Sequence, residues 1–393
     1  MQVVVLPDGA RTWTVLGADY LPLPAVEEFL EHHRQIGSSP NTVKSYARGL
    51  GLWWRHLAAS GSGWRRPRVS TATSFVAWLR AGAPSERVAY LPNAATAGAG
   101  FAESTIASRL AAVGAFYRYH DVAGALAVAA SDAGRRARYR PFMEHVASRR
   151  ERRAPLVRLR RAPPRRPPIL SPQQIDLILG ACATRGPEPG EWRGSLRDRL
   201  LFELLSETGL RLGEALGLQH RDVSVGRGET PVVEVVERAH PHGVRAKSGY
   251  RRVFISDRLE RLYGEWVWQV SDIAADAGHE LSDDGYVFVN FARRPYFSPT
   301  RPETVYDRVR RLKRRLGSAL SSAWTPHWLR HTHATVLLLN GAPPHVVMRR
   351  LGHADVQTTL SLYGWVTEEA EMRGLADWRR FADGWRVADE DPR

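Results

Sequence analysis

Two histidines, an arginine and a tyrosine lie within one short stretch near the end of this chain of 393 residues. His327 and Arg330 are three positions apart on a predicted helix, so their side chains share one face. His353 follows Gly352, which predicts a helix end, and Tyr363 lies ten residues further on, in a second predicted helix. A hydrophobic core has no use for these four polar groups, whereas a phosphate group would be bound by them. The stretch therefore predicts a phosphate-binding site.

Cleavage of a phosphodiester without a metal ion requires that the negative charge on its non-bridging oxygens be offset. Guanidinium does this because it stays charged and donates two hydrogen bonds in a fixed geometry. Arg211, in the run T-G-L-R-L-G-E, and Arg330 are the candidates for this pair, with Glu214 interpreted as an orienting partner of Arg211 rather than as an acid. A phenol with a pKa of about 10 attacks when cations and a base lie near it, and it leaves a covalent bond. Tyr363 is the candidate nucleophile.

The sugar oxygen that departs needs a proton, which a lysine of lowered pKa supplies and an arginine does not. Lys247 is one of three lysines in a chain with 53 arginines, and it is the candidate acid. His327 and His353 would donate hydrogen bonds to the phosphate oxygens or carry the tyrosine proton. We expect no cofactor and no metal in this chemistry.

A metal site is the rival interpretation of the same histidines. His327, His331 and His333 are close in sequence, and histidines four positions apart share a helical face. However, no Asp or Glu lies between residues 324 and 352, and Arg330 would lie beside the cation. We therefore favour the phosphate site and assign His331 and His333 structural roles.

The net charge of +15 is concentrated in two segments rather than spread over the chain. Residues 135–166 contain thirteen arginines against two acidic residues, and residues 293–315 contain nine basic residues against two acidic ones. Such clustering is typical of a protein that binds a polyanion.

The cysteine count and the length of the apolar runs exclude further classes of protein. The single cysteine, Cys182, excludes an intramolecular disulfide framework and a thiolate zinc cluster. No run approaches the roughly 18 apolar residues of a membrane span, and the first residues lack a signal-peptide pattern. We expect a cytoplasmic, nucleoid-associated protein without a membrane partner.

The hydrophobic pattern predicts a mainly α fold with a small antiparallel β-sheet, in five segments. These are an appendage at 1–20, a helical domain at 21–120, a basic linker at 121–168, a mixed α+β domain at 169–366 and a helical tail at 367–393.

Local signals give more detailed expectations for single elements. Ser104 and Thr105 predict the cap of the fourth helix, and Ser171 predicts a capping box with Gln174. Residues 231–238 and 251–255 read as strands joined by the loop that carries Lys247, 286–290 reads as a further strand, and 302–316 reads as a basic helix.

The second domain, over about 171–363, resembles the catalytic domain of the tyrosine recombinase (phage integrase) family. The helical domain is similar to the core-binding, SAM-like domain of that family in the runs S-S-P-N-T-V-K-S-Y and S-T-I-A-S-R-L-A-A-V-G-A-F-Y. Six residues match the catalytic motifs of the family in order: Arg211, Lys247, His327, Arg330, His353 and Tyr363.

The resemblance implies a site-specific DNA recombinase whose two lobes form a clamp on duplex DNA. Tyr363 would form a 3′-phosphotyrosyl bond, which the 5′-hydroxyl of a partner strand resolves, without ATP or metal. Four protomers would act on two DNA sites through a Holliday junction. An apolar face of the tail, at Leu375, Trp378 and Phe381, would pack against a neighbouring protomer.

Double-stranded DNA is the expected partner, and accessory DNA-bending or recombinase proteins remain open as further partners. Candidate contacts to DNA are basic residues outside the catalytic set, namely Lys44, Arg109, Arg118, Arg293 and Arg294.

Other functions use the same features of the sequence. A type IB topoisomerase-like enzyme or a telomere resolvase shares the chemistry, and a non-cleaving DNA-binding regulator shares the fold. Binding of RNA by the basic linker is a third alternative. Phage integrases, transposon recombinases and chromosome resolvases all fit the resemblance and stay open as alternatives.

Overall fold

The structure is a computed structural model that describes residues 1–7, 11–65, 67–83, 100–120, 166–188, 190–226, 230–244, 246 and 249–353. The chain divides into two compact units, Met1–Pro163 and Pro164–Arg393. Several predictions lie outside the described residues: those for Lys247 and Tyr363, for most of the basic linker and for the C-terminal tail.

Within its described residues, the first unit contains a strand pair and four helices, which are β1 (Gln2–Val5), β2 (Arg11–Thr14), α1 (Pro24–Gln35), α2 (Pro40–Ala59), α3 (Val69–Arg80) and α4 (Glu103–Tyr119). Its core contains the buried rings of Phe29, Trp53 and Phe116. The helices α2 and α4 come close at Gly49, where an added Cβ would lie 2.6 Å from that of Ala112. The predicted helical domain is confirmed in outline.

Two details of the first unit differ from expectation. Ser104 does not cap α4, which begins one residue earlier at Glu103 with Ala102 at the N-cap. Glu103 forms an ion pair with Arg80, and an acidic side chain in the first turn favours the helix start. The strand pair at the N-terminus is packed on the core, because Trp13 of β2 packs against it and Val15, directly after β2, is buried in it.

The second unit contains seven helices and two small sheets within the described residues. In chain order they are α5 (Pro172–Cys182), β3 (Ala183–Arg185), β4 (Trp192–Gly194), α6 (Leu196–Thr208), α7 (Leu212–Leu216), β5 (Val223–Ser224), β6 (Val232–Val235), β7 (Arg251–Phe254), α8 (Asp257–Asp276), α9 (Pro302–Leu316), α10 (His327–Leu339) and α11 (Pro344–Leu351). Both sheets are antiparallel: β3 pairs with β4, and the other has the order β5-β6-β7, with Val233 opposite Val253. The mainly α fold with small antiparallel sheets is therefore confirmed.

Caps and buried residues explain the main elements of this unit. Ser171 and Gln174 form the predicted capping box, with each side chain bonded to the backbone N–H of the other. The helix α6 is buried almost throughout, packs against α5, α8 and α10, and ends at Gly209. The basic helix α9 has the predicted bounds.

The predicted strand at 286–290 is only partly realised. Its central residues are buried, but the segment pairs through isolated bridges, from Tyr286 to Gln219 and from Val289 to Pro299. Side chains occupy two of its carbonyls, since Trp266 donates to Val287 and Arg197 donates to Val289. Apolar sequence predicted the burial but not these side-chain partners.

Over the described ranges, no helix is long and apolar enough to cross a membrane.

Candidate active site

Two glycines in left-handed conformation end the helices that form the site. Gly209 ends α6 and Gly352 ends α11, each with a φ of 66°. A Cβ added at Gly209 would lie 2.7 Å from the ring of His333 and 2.8 Å from a methyl group of Leu351. Glycine is therefore needed at 209 for its backbone angle and for the close approach of α10 and α11.

Arg330, in the first turns of α10, links these two helix ends. Its guanidinium donates to the Gly209 carbonyl at 2.7 Å and to the Leu351 carbonyl at 2.8 Å. The residue is 2% exposed. Its position is thus fixed from both sides before any ligand binds.

Arg211 follows Gly209 in the chain and is the N-cap residue of α7. Its guanidinium donates to the Glu214 carboxylate at 2.7 Å and to the Gly352 carbonyl at 3.1 Å. The side chain is 26% exposed, much more than that of Arg330. Arg211 and Arg330 therefore bind carbonyls at the same end of α11, but only Arg211 is accessible to solvent.

Three successive carbonyls at the end of α11 each accept a hydrogen bond from a different arginine. The last carbonyls of a helix lack partners within the helix and carry partial negative charge, which cations stabilise. We call residues 350–352 the carbonyl row. Its bonds are Arg251 Nε to Arg350 O at 2.9 Å, Arg330 Nη2 to Leu351 O at 2.8 Å and Arg211 Nη2 to Gly352 O at 3.1 Å.

Glu214 joins two of these arginines. Its side chain is fully buried, and it accepts from Arg211 at 2.7 Å and from Arg251 at 2.6 and 3.3 Å. Burial raises the pKa of Glu214, but the hydrogen bond and charge of Arg251, followed by those of Arg211, lower it to about 2. The carboxylate is therefore ionised, which agrees with its interpretation as an orienting partner.

Arg251 was not among the sequence candidates. It opens β7, where the burial alternates so that Arg251 and Val253 face inward while Arg252 and Phe254 face outward. In the sequence, an arginine at an inward-facing position of a predicted strand is the feature that could have pointed to this residue.

His327 and His353 lie within the electrostatic reach of both arginines. Burial lowers the pKa of His327, and the charges of Arg330 and Arg211 lower it further. Burial and then the charges of Arg330 and Arg211 lower the pKa of His353 to about 4. Both imidazoles are therefore neutral near pH 7, and each has one N–H to donate.

The structure thus brings together four of the six predicted catalytic residues, Arg211, His327, Arg330 and His353. The positions of Lys247 and Tyr363 lie outside the part of the chain that is described.

The other histidines of α10 have contacts that suit structural roles. The ring of His333 donates from Nδ1 to the Ser206 carbonyl at 3.1 Å and accepts from Arg350 Nε at 2.9 Å. The ring of His331 meets that of His327 edge-on, with centroids 4.5 Å apart. Among the described residues, no three His, Cys, Asp or Glu side chains form a group that would hold a metal ion.

Four of the five predicted DNA contacts line two cavities with basic side chains in their walls. Lys44 and Arg109 lie in a cavity of about 350 Å³ in the first unit, together with hydroxyl groups of Ser45 and Ser108. Arg293 and Arg294 lie in a cavity of about 610 Å³ in the second unit, where the other basic residues are Arg197, Arg301, Arg308 and Arg311. Arg118 is exposed on α4 and is not part of the first cavity.

Two family models match the chain. The phage integrase family model matches residues 168–369, slightly more than half of the chain. The model of the N-terminal SAM-like domain of phage integrases matches residues 26–121.

Two curated relatives span nearly the whole chain. Transposase A from transposon Tn554 of Staphylococcus aureus is 28% identical over 362 residues, which cover 89% of this chain and 90% of the transposase. Tyrosine recombinase XerD of Brucella abortus is 28% identical over 372 residues, which cover 91% of this chain and 98% of the recombinase.

Two solved structures show the same fold. The Tn1549 transposon integrase in complex with circular intermediate DNA matches with a TM-score of 0.55 at 18% identity, over 89% of this chain and 99% of that one. The XerH site-specific recombinase bound to difH substrate, in a post-cleavage complex, matches with a TM-score of 0.55 at 16% identity, over 89% and 83%. The fold is that of a two-domain recombinase, with a helical N-terminal domain and a catalytic domain.

Proposed function

Since the chain belongs to the phage integrase family, we propose that it cuts and rejoins double-stranded DNA through a covalent 3′-phosphotyrosyl intermediate on Tyr363. Its enzyme class is that of the site-specific tyrosine recombinases. The observation that carries the proposal is the meeting of two arginines and two neutral histidines at the ends of α6 and α11.

In the cleavage step, the phenol oxygen of Tyr363 attacks the scissile phosphorus and the bond to the 5′-oxygen breaks. Arg211 and Arg330 offset the charge that grows on the non-bridging oxygens. Lys247 gives its proton to the departing 5′-oxygen. In the second step, the 5′-hydroxyl of a partner strand attacks the phosphotyrosyl ester and the phenol leaves.

The neutral histidines fit this scheme. With their pKa values lowered by burial and by the neighbouring guanidinium groups, His327 and His353 add no charge near pH 7. Each donates one N–H to a phosphate oxygen, and its other nitrogen accepts a proton. One of them serves as the base for the tyrosine.

The proposal needs neither ATP nor a metal ion. Two guanidinium groups provide the positive charge that a metal would otherwise bring to the phosphate. The ester formed with Tyr363 retains the free energy of the broken diester, so rejoining needs no other source. Cleavage is therefore expected to continue in EDTA and without nucleotide.

Double-stranded DNA as the partner is supported by the charge of the chain. The net charge is +15, and both units have a cavity lined by basic side chains. The Tn1549 integrase and XerH structures are DNA complexes by their own titles. We extend the proposal to four protomers on two DNA sites, exchanging strands through a Holliday junction at the nucleoid.

The test uses nicked duplexes cut from the DNA that flanks the gene. A nick next to the scissile phosphate lets the cleaved end diffuse away, so that the covalent complex accumulates. After denaturation, the wild-type protein should carry a DNA fragment and the Tyr363→Phe variant should not. An adduct on Tyr363→Phe would refute the assignment of the nucleophile.

Two further outcomes, one in this assay and one with supercoiled DNA, would favour the alternative functions. DNA binding without an adduct on any duplex would favour a non-cleaving regulator. Relaxation of supercoiled DNA of any sequence would favour a topoisomerase-like activity. The four residues of the site argue for cleavage, because binding alone does not need neutral histidines beside the guanidinium groups of Arg211 and Arg330.

A further inference from the structure

Arg251 is a buried cation that none of the catalytic motifs contains. Its side chain is 5% exposed, and the residue opens β7, the strand that follows the loop with Lys247. All of its described hydrogen bonds lead to the site: two to the Glu214 carboxylate and one to the first member of the carbonyl row. A charge buried this deeply is costly unless its partners are well placed.

We propose that Arg251 is a positioning residue for DNA cleavage, which holds the Glu214 carboxylate and the end of α11 so that Arg211 faces the phosphate. The proposal rests on the proposed function, in which Arg211 contacts the scissile phosphate. Arg251 acts through Glu214 and the carbonyl row, not by binding the phosphate itself.

The contacts of Glu214 carry the first half of this inference. Arg211 binds one carboxylate oxygen through Nη1 at 2.7 Å, and its backbone N–H binds the other at 2.9 Å. Arg251 binds both oxygens, at 2.6 and 3.3 Å. Because both carboxylate oxygens accept hydrogen bonds from these donors, the Glu214 carboxylate is held in one orientation. The carboxylate in turn orients the Arg211 guanidinium.

The carbonyl row carries the second half. Arg251 Nε bonds the Arg350 carbonyl, and the next two carbonyls of the chain bond Arg330 and Arg211. Arg251 therefore fixes β7 against the turn that leads to His353. Loss of this bond would free the same backbone on which Arg211 and Arg330 depend.

The charge of Arg251 should give cleavage a pH dependence that a purely structural role of this residue would not produce. The groups around Glu214 are Arg211 from α7 and Arg251 from β7, while Arg330, His327 and His353 face the site from α10 and the end of α11. Burial raises the pKa of Glu214, and Arg251 is the largest opposing influence. Without Arg251 the carboxylate should take up a proton at a higher pH, and Arg211 should then lose its partner.

The main experiment compares the rate of covalent adduct formation on the nicked duplex across pH. Arg251→Met should slow the reaction about tenfold or more at pH 8, the size expected when about 1.4 kcal/mol of transition-state stabilisation is lost. The ratio of wild-type to variant rate should grow as the pH falls to 6. Duplex affinity should stay within about twofold, because a buried arginine releases no counterion from a phosphate.

Three variants serve as controls. Arg252→Met removes the neighbouring arginine, which is 52% exposed and pairs with Glu234, and it should cleave at the wild-type rate. Arg251→Lys keeps the charge without the planar fork and should recover part of the rate. In a Glu214→Gln background, Arg251→Met should no longer change the pH profile.

A second measurement does not depend on cleavage. Glu214 has a folded pKa of about 2 against an ordinary 4.5, so its ion pairs stabilise the wild type fully above pH 4.5, and this stabilisation is lost progressively as the pH falls from 4.5 to about 2. In Arg251→Met the folded pKa is raised, and acidification relieves the buried charge. The stability difference between the two proteins should therefore shrink between pH 7 and pH 4, and not in the Glu214→Gln background.

These results judge the inference separately from the proposed function. Wild-type cleavage at every pH in Arg251→Met would overturn the inference, as would an equal loss at every pH with or without Glu214. If the wild type forms no adduct on any duplex, the proposed function fails, and the unfolding series still decides whether Arg251 holds Glu214. Should Arg251→Met not fold, Arg251→Lys and the double variant with Glu214→Gln carry both measurements.

Discussion

Single residues in the site have their charge state set by burial and by neighbouring charges together. Arg330 is nearly inaccessible and is bonded on two sides by main-chain carbonyls. Glu214 stays ionised because Arg251 and Arg211 lower its pKa, whereas His353 stays neutral because burial, followed by the charges of Arg330 and Arg211, lowers its pKa. Substitutions should therefore alter both stability and activity at these positions.

Arg330→Met should leave the carbonyls of Gly209 and Leu351 without donors. Each unsatisfied buried group costs about 1–3 kcal/mol, so the free energy of unfolding should fall by about 2–6 kcal/mol in denaturant titration. Arg349→Met, at an exposed position of α11, should change it by less than about 0.5 kcal/mol. Equal effects of the two variants would contradict the described role of Arg330.

His333 should make the protein sensitive to acid. Burial, followed by the charge of Arg350, lowers its pKa to about 4, against an ordinary 6.5. The unfolded chain therefore takes up this proton first, and stability should fall as the pH drops from 6.5 to 4. The loss from this residue is about 3 kcal/mol at most.

His333→Gln should remove that part of the acid sensitivity, as measured by urea unfolding at pH 7 and pH 4. His345→Gln, at an exposed position of α11, is the matched control and should behave as the wild type. A His333→Gln protein that loses as much stability on acidification as the wild type would show that other groups are responsible.

At the scale of elements, the ends of two helices hold the arginines of the site in place. Gly209 and Gly352 turn the chain at the ends of α6 and α11, and the arginines bind the carbonyls exposed there. Pairs of helix ends, rather than the faces of helices, therefore form the site.

Gly209→Ala should destabilise the protein more than Gly341→Ala. Both glycines have positive φ, which costs an alanine about 1–2 kcal/mol. Only at 209 of these two would the Cβ also meet other side chains, and such overpacking adds about 1–3 kcal/mol. Chemical denaturation of the two variants gives the comparison, and equal midpoints would show that α10 and α11 yield at this point.

Local sequence signals predicted those elements that local interactions determine. The capping box at Ser171, the end of α11 at Gly352 and the bounds of α9 depend on a few neighbouring residues. The segment 286–290 and the start of α4 differ because Trp266, Arg197 and Arg80 come from other parts of the chain. Such partners are not visible in a local pattern.

In the candidate site too, residues that belong to sequence motifs were predicted, and a residue that depends on distant partners was missed. Arg211, His327, Arg330 and His353 were predicted from residue types and motif spacing, and they do lie together. Arg251 was missed because its partners, Glu214 and the Arg350 carbonyl, are 37 and 99 positions away. Its inward place in β7 was the only local signal.

The molecule as a whole consists of two units that each have a basic cavity. If both bind DNA, their contributions to affinity should depend on salt. Lys44→Met should lower duplex affinity and reduce the slope of log affinity against log salt by about 1, the value for one phosphate contact. A titration from 50 to 200 mM salt measures both.

Arg80→Met is the control for Lys44→Met, because Arg80 is exposed on α3 and pairs with Glu103. Its affinity and salt slope should equal those of the wild type. An unchanged slope for Lys44→Met would remove this cavity from the DNA-binding surface.

The carbonyl row also has a consequence for the time at which the protein becomes active. Its bonds join residues 99, 21 and 141 positions apart, so Arg211 is synthesised long before the carbonyl that holds it. A ribosome-bound chain that has not yet reached residue 352 contains Arg211 and Glu214 but no assembled site. The contacts that hold Arg211 and Arg330 therefore become complete only after residue 352 has been added to the chain.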